Sequence, residues 1–145
     1  MSHLLNYTTK VSAITTIAQI QEILVRHGAT DTLTKFENGR VKALSFRVNT
    51  PQGPLAITLP VDVAATQRVL RRTVLRSCTE DHARDVAWRI IKDWVEAQMA
   101  ILETEMVNMA EIFPPYVITD DGRTMFDRLK DTAYQIPQNT ERRNP

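Results

Sequence analysis

The sequence predicts an α+β fold: a strand, a helix, a three-stranded antiparallel meander, a helix, a long helix and a C-terminal arm, with the helices on one face of the sheet. Three observations predict it. Asn38-Gly39 separates two runs that read as strands, and Asn-Gly suits a type I′ hairpin turn, whose two central residues need positive φ. Thr50-Pro51-Gln52-Gly53 supplies a second turn with proline in its favoured early position. Beyond Pro60, apolar residues recur at helical spacing from Val63 to about Glu111.

Each element carries its own signals. Leu5, Tyr7, Thr9 and Val11 alternate as a short strand does. Thr15 or Thr16 can cap the first helix, with Gln19 completing a capping box for Thr16. Ile17, Ile20 and Leu24 repeat at helical spacing, and Gly28 stands where a left-handed C-cap belongs. The meander covers 30–37, 40–49 and 54–59, closed by Pro60. With both turns tight, the period of two puts Leu33, Leu44, Phe46, Val48, Leu55, Ile57 and Leu59 on the core face. Thr32, Thr34, Phe36, Val41, Ala43, Ser45, Arg47, Ala56 and Thr58 fall on the other, small and polar. Lys35 and Lys42 then oppose one another near the hairpin tip, a like-charge pair that invites an anion.

Asp62 can cap a second helix over 63–76. Ser77-Cys78-Thr79-Glu80 reads as a capping box opening the third, with Glu80 and Asp81 where the helix dipole favours acids. That helix would reach about residue 111, roughly 45 Å at 1.5 Å per residue, before Pro114-Pro115 stops it. It bears two apolar stripes, one running through Ile90 and Trp94 and the other through Trp88, Ile91 and Val95. Tyr116-Val117-Ile118 reads as extended, Asp120-Asp121-Gly122 as a turn, and Thr124 with Asp127 as the capping pair of a last short helix. The organisation expected is one domain over 1–131, with an arm from about 112 and a loose tail over 132–145.

Composition excludes several classes of function. The chain has 145 residues, 43% hydrophobic and 24% charged, enough for one globular domain with a real core. A single cysteine, Cys78, excludes an intramolecular disulfide framework and a cysteine-rich zinc module. No apolar run approaches the ~20 residues of a membrane span, and Met1-Ser2-His3-Leu4-Leu5 lacks a signal-peptide pattern. A reducing cytoplasm is the expected setting. His3, His27 and His82 have no partner at ligand spacing, so no metal is expected, and with no glycine-rich phosphate loop no cofactor is either. Cys78, at a helix start with His82 four residues on, could have a lowered thiol pKa but lacks a third orienting group. No enzyme is expected.

The net charge of +1 conceals a segregation. Residues 26–92 hold twelve basic and six acidic groups, whereas 93–121 hold seven acidic groups and no Lys or Arg. Arg68, Arg72 and Arg76 are spaced by four, so a continuous helix would place them on one face with Arg71 beside them. The planar fork of arginine matches phosphate. Lys35, Lys42 and Arg47 would extend the basic surface, and Phe36 would offer a ring on which a base can stack.

The runs Ile17-Ala18-Gln19-Ile20-Gln21-Glu22-Ile23-Leu24, Ser45-Phe46 and 86–98 (from Val86-Ala87-Trp88-Arg89 to Glu96-Ala97-Gln98) resemble small α+β proteins of phages and mobile elements. The resemblance covers most of 7–130 and implies a genome-handling or host-interfering role in the host cytoplasm. The order of helix, three-stranded meander and further helices is also similar to the core of phage single-strand annealing proteins and to double-stranded RNA-binding domains, although the lysine cluster of the latter is missing from the start of the second helix. The expected function is non-enzymatic binding of nucleic acid, single-stranded DNA or RNA. The rival is a protein-interaction module that docks on a host enzyme through its acidic 93–121 surface. The two apolar stripes and the arm's Phe113, Tyr116, Val117, Ile118 and Phe126 further predict a homo-oligomer.

Overall fold

The computed structural model describes residues 3–132. In chain order the elements are α1 (Ala13–Arg26), β1 (Ala29–Glu37), β2 (Arg40–Thr50), β3 (Gly53–Thr58), α2 (Val63–Thr73), α3 (Glu80–Glu103), the single turn α4 (Met109–Ile112), a 3-10 turn (Pro114–Tyr116) and α5 (Met125–Asp131). The fold is α+β, with one antiparallel sheet in the order β1-β2-β3. The tail expected over 132–145 lies, apart from Thr132, outside the described residues.

Local chemistry sets most boundaries. Ser12 caps α1 by accepting from the Thr15 amide, while Thr16, one of the two caps expected, is buried in the core. Gly28 follows the helix with φ +100°, the left-handed conformation expected of it. Asn38 (φ 53°) and Gly39 (φ 76°) form the tight hairpin turn. Asp62 accepts from the Ala65 amide at 2.9 Å to open α2. Thr79 caps α3, and a full capping box joins Thr124 and Asp127 at α5.

Four expectations are corrected. Residues 5–11 form no strand: Asn6 is left-handed (φ 64°), and the Tyr7 and Thr9 amides close turns onto Leu4 O and Asn6 O. The segment is instead clipped to α3, with Asn6 Nδ2 donating to Asp93 and His82 Nε2 to Tyr7 O. α2 ends at Thr73, because the Val74 and Leu75 amides both turn back to Leu70 O. α3 stops at Glu103, and Glu105 takes φ 62° beyond it, so the expected long helix is really 24 residues and a separate turn.

The fourth correction concerns the sheet. From the turn, Glu37 opposes Arg40 and Phe36 opposes Val41, but Lys35 opposes Ala43. Lys42 is an extra residue, a β-bulge, and the pairs from Lys35–Ala43 to Asp31–Arg47 are displaced by one. A displacement of one exchanges faces. Leu33 therefore opposes Ser45 and is exposed, whereas Thr32 and Thr34 turn towards α1 and receive Gln21 Nε2 at 3.1 and 3.4 Å. The bulge also lets Val41 face inward with Leu44, Phe46 and Val48.

One core lies between the sheet and the helices α1 and α3, centred on Ile20, Leu44, Ile57 and Trp88, all fully buried. A second, of Leu70, Cys78, Ala83 and Val86, seats α2 on α3 rather than on the sheet, with Leu4 and Tyr7 packed against it. The arm folds back. Phe113 is fully buried, its ring edge-on to Phe46 (5.6 Å) and Trp94 (5.5 Å), and the Ile118 amide donates to Ala56 O beside an isolated Ile57–Val117 bridge. The arm thus covers Trp94 of α3, against which Phe113 and Tyr116 both pack edge-on, and most of the surface argued to need a partner copy is packed within the chain.

Candidate nucleic-acid interface

The basic ridge is shorter than its spacing suggests. Arg68, Arg71 and Arg72 stand on α2, but Arg76 lies in the turn between α2 and α3, so it continues the ridge off the helix end rather than along its face. The turn is built from the ridge itself: Arg71 Nε and Gln67 Nε2 both donate to Cys78 O at 3.1 Å. Val74 and Leu75 pack below, into the second core. All four arginines are exposed, and among the described residues none meets a carboxylate within 4.0 Å. Arg71 and Arg72 also occupy the last turn of α2, where the helix dipole favours cations.

The cations of the hairpin are disposed differently. Lys42, expected opposite Lys35, pairs instead with Glu37 at 2.8 Å, because the bulge takes it out of register. The like-charge pair that would invite an anion is therefore absent. Arg47 lies 3.5 Å from Asp31. Lys35 is exposed on the open sheet face opposite Ala43. Phe36 is 59% exposed but opposes Val41, a core residue, so it lies on the helix side at the sheet end and not on the polar face. The hairpin tip faces the N-terminal end of α2, across a cleft that Lys42 shares with Val63 and Ala64. Arg72 is eight residues further along α2 from Ala64, roughly 12 Å at 1.5 Å per residue. The ridge therefore begins at Arg68, four residues or roughly 6 Å beyond Ala64, and runs away from the hairpin along α2.

That cleft, about 600 Å³, lies between the hairpin tip and the starts of α2 and α3. Its chemistry was not anticipated. Arg40 Nε donates to Asp81 at 2.5 Å, and Arg84 donates to Asp81 and Glu80 at 2.8 Å each. The contact holds Asp81 below the usual carboxylate range through its Arg40 hydrogen bond. The spacing of Glu80 and Asp81 to Arg84, four and three residues on one helix, was the available signal. Every cation in the cleft is matched by an acid, so it offers no net field to an anion.

The lowered thiol pKa that a helix start could give Cys78 is not what its surroundings produce, since the side chain is buried. Burial pushes its thiol pKa up, not down, and Sγ donates to Thr79 O at 3.3 Å. His82 is engaged with Tyr7 O. Among the described residues no three His, Cys, Asp or Glu side chains cluster as a metal site, and no helix is long and apolar enough to cross a membrane. Compared with known protein families, curated proteins and solved structures, the chain matches none.

Proposed function

We propose that the protein binds nucleic acid without catalysis, contacting phosphates through Arg68, Arg71, Arg72 and Arg76. One observation carries the reading: these four arginines are exposed and, among the described residues, unmatched by acids, while Arg40, Lys42, Arg47, Arg84 and Lys92 are all ion-paired. An arginine cluster with no internal counter-charge presents its donors to an external anion. Single-stranded DNA or RNA is the favoured form, because unstacked bases can use the exposed ring of Phe36 and a closed duplex cannot. The acidic 93–121 segment gives less support to a docking role. Asp93, Glu96, Glu103, Glu111, Asp120 and Asp121 each hold a partner within the chain, leaving Glu105 without one among the described residues.

The test is the salt dependence of binding to labelled single- and double-stranded oligonucleotides. Each phosphate contact on a single strand contributes about 0.7 to the log–log salt slope, so replacing Arg68, Arg72 and Arg76 together by Ala should flatten it by about 2. Phe36→Ala should weaken single-strand binding by about 1–3 kcal/mol and leave duplex binding unchanged. A triple variant with the parent's affinity and slope refutes the proposal.

A further inference from the structure

The sheet has one closed edge and one open edge. At β3 the arm bridges Ile57 to Val117. At β1, nine residues long, no described strand pairs on the outer side. Open edges are usually protected by charge or by irregular backbone. The β1 edge is charged, with Asp31 and Lys35, but the order of its residues is self-complementary. Residues 31–35 read Asp-Thr-Leu-Thr-Lys. Set antiparallel to a copy of itself about Leu33, the strand places Asp31 opposite Lys35 of the copy and Lys35 opposite its Asp31. Thr32 opposes Thr34, and Leu33 meets its own counterpart. The two irregularities of β1 fall outside this run, at 29–31 and 35–36. Leu33 is 57% exposed at its centre, and Lys35 has no ion-pair partner among the described residues.

The helix above the edge has the same character. Ile14, Ala18, Gln21 and Val25, spaced four, three and four, share one flank of α1. Gln21 reaches over to Thr32 and Thr34, so this flank is the β1 side, while Gln19 on the opposite flank accepts from Arg89 of α3 at 2.6 Å. Ile14 and Val25 are 63% and 60% exposed. The edge therefore presents two layers, a strand below and a half-apolar helix flank above.

We propose that a second copy of this chain docks on the β1 edge about a two-fold axis through Leu33, joining the sheets into one of six strands and setting the two α1 helices side by side. A contact of this kind uses the same patch on both copies and closes as a dimer. It is independent of the arginines of α2. The two opposite-charge pairs convert an edge guard into a recognition code.

Light scattering across a micromolar concentration series should give twice the chain's 16.5 kDa. Leu33→Cys should cross-link to itself under mild oxidation, while Leu5→Cys, equally exposed but away from β1, should not; Cys78 is buried and silent. Lys35→Glu and Asp31→Lys, each repelling its own copy, should be monomeric when alone, with circular dichroism unchanged. Mixed, they match again and should recover the dimer. A parent that stays monomeric overturns the proposal. So does a dimer that ignores both charge changes, or a mixture that stays monomeric.

Discussion

Replacing Phe113 with Ala removes the ring that seats the arm on the domain. Phe113 is fully buried, and its neighbours are fixed: Phe46 of β2 and Trp94 of α3, both edge-on. Burying a phenylalanine ring takes some 150–250 Å² from water, which at about 25 cal/mol per Å² is about 4–6 kcal/mol as an upper bound. Measured Phe→Ala changes in cores cost about 3–5 kcal/mol, cavity included. Against a total stability of about 5–15 kcal/mol, that is a large fraction. Urea unfolding followed by circular dichroism should show the midpoint fall accordingly. Phe36→Ala, a change at an exposed ring, should stay within about 0.5 kcal/mol. A cycle pairing Phe113→Ala with Trp94→Ala should return a coupling of about 0.5–1.5 kcal/mol, the worth of an edge-to-face pair. If Phe113→Ala costs less than about 1 kcal/mol, the arm is not docked on the sheet and the reasoning fails.

Two further changes probe other parts of the fold. Gly39→Val should cost about 1–3 kcal/mol in urea unfolding, wholly from the backbone, since nothing lies within 4 Å of the new Cβ; Gly39→Asn should cost clearly less, and equal costs would refute the φ argument. At His27 both ring nitrogens face acceptors, Ile23 O at 2.8 Å and Glu103 at 3.0 Å, so the carbonyl hydrogen bond first and Glu103 second raise its pKa. The stability this contributes is present below the unfolded value of about 6.5 and is lost as pH rises through the raised folded value. The urea midpoint should therefore drop between about pH 6 and 8, less so in Glu103→Gln; a midpoint rising over that window in the parent and not in His27→Gln contradicts it.

Features with a strict backbone or capping requirement were legible in the residues. Asn38-Gly39, Gly28, Asp62 and the Thr124–Asp127 pair each have few alternatives, and each is where it was expected. The faces of β1 were not legible, because one inserted residue reverses them and Lys42 carries no mark of being that residue. A hint existed: Val41 and Leu44 are both large and apolar, and without an extra residue between them they would point to opposite faces. The ends of α2 and α3 were hidden for another reason. Val74 and Leu75 keep the helical hydrophobic period but pack from a turn, and Glu105 takes a left-handed conformation that glycine would have advertised. Of the candidate site, the exposed flank of Arg68, Arg71 and Arg72 was legible in the helical spacing, but the place of Arg76 in the turn beyond α2 was not. Nor was the ridge's direction away from the hairpin, since that depends on which end of α2 the hairpin faces.

The burial of Phe113 between Phe46 and Trp94 also has a consequence in time. The ring that fills the gap is encoded 67 residues after Phe46. At a synthesis rate of about 5–20 residues per second, the chain needs about 3–13 s to deliver it. The meander and its two tight turns are local and can pair as they emerge. During that interval β2 and the growing α3 display an apolar cleft that the finished protein hides, and a chain cut short before residue 113 displays it for its whole life.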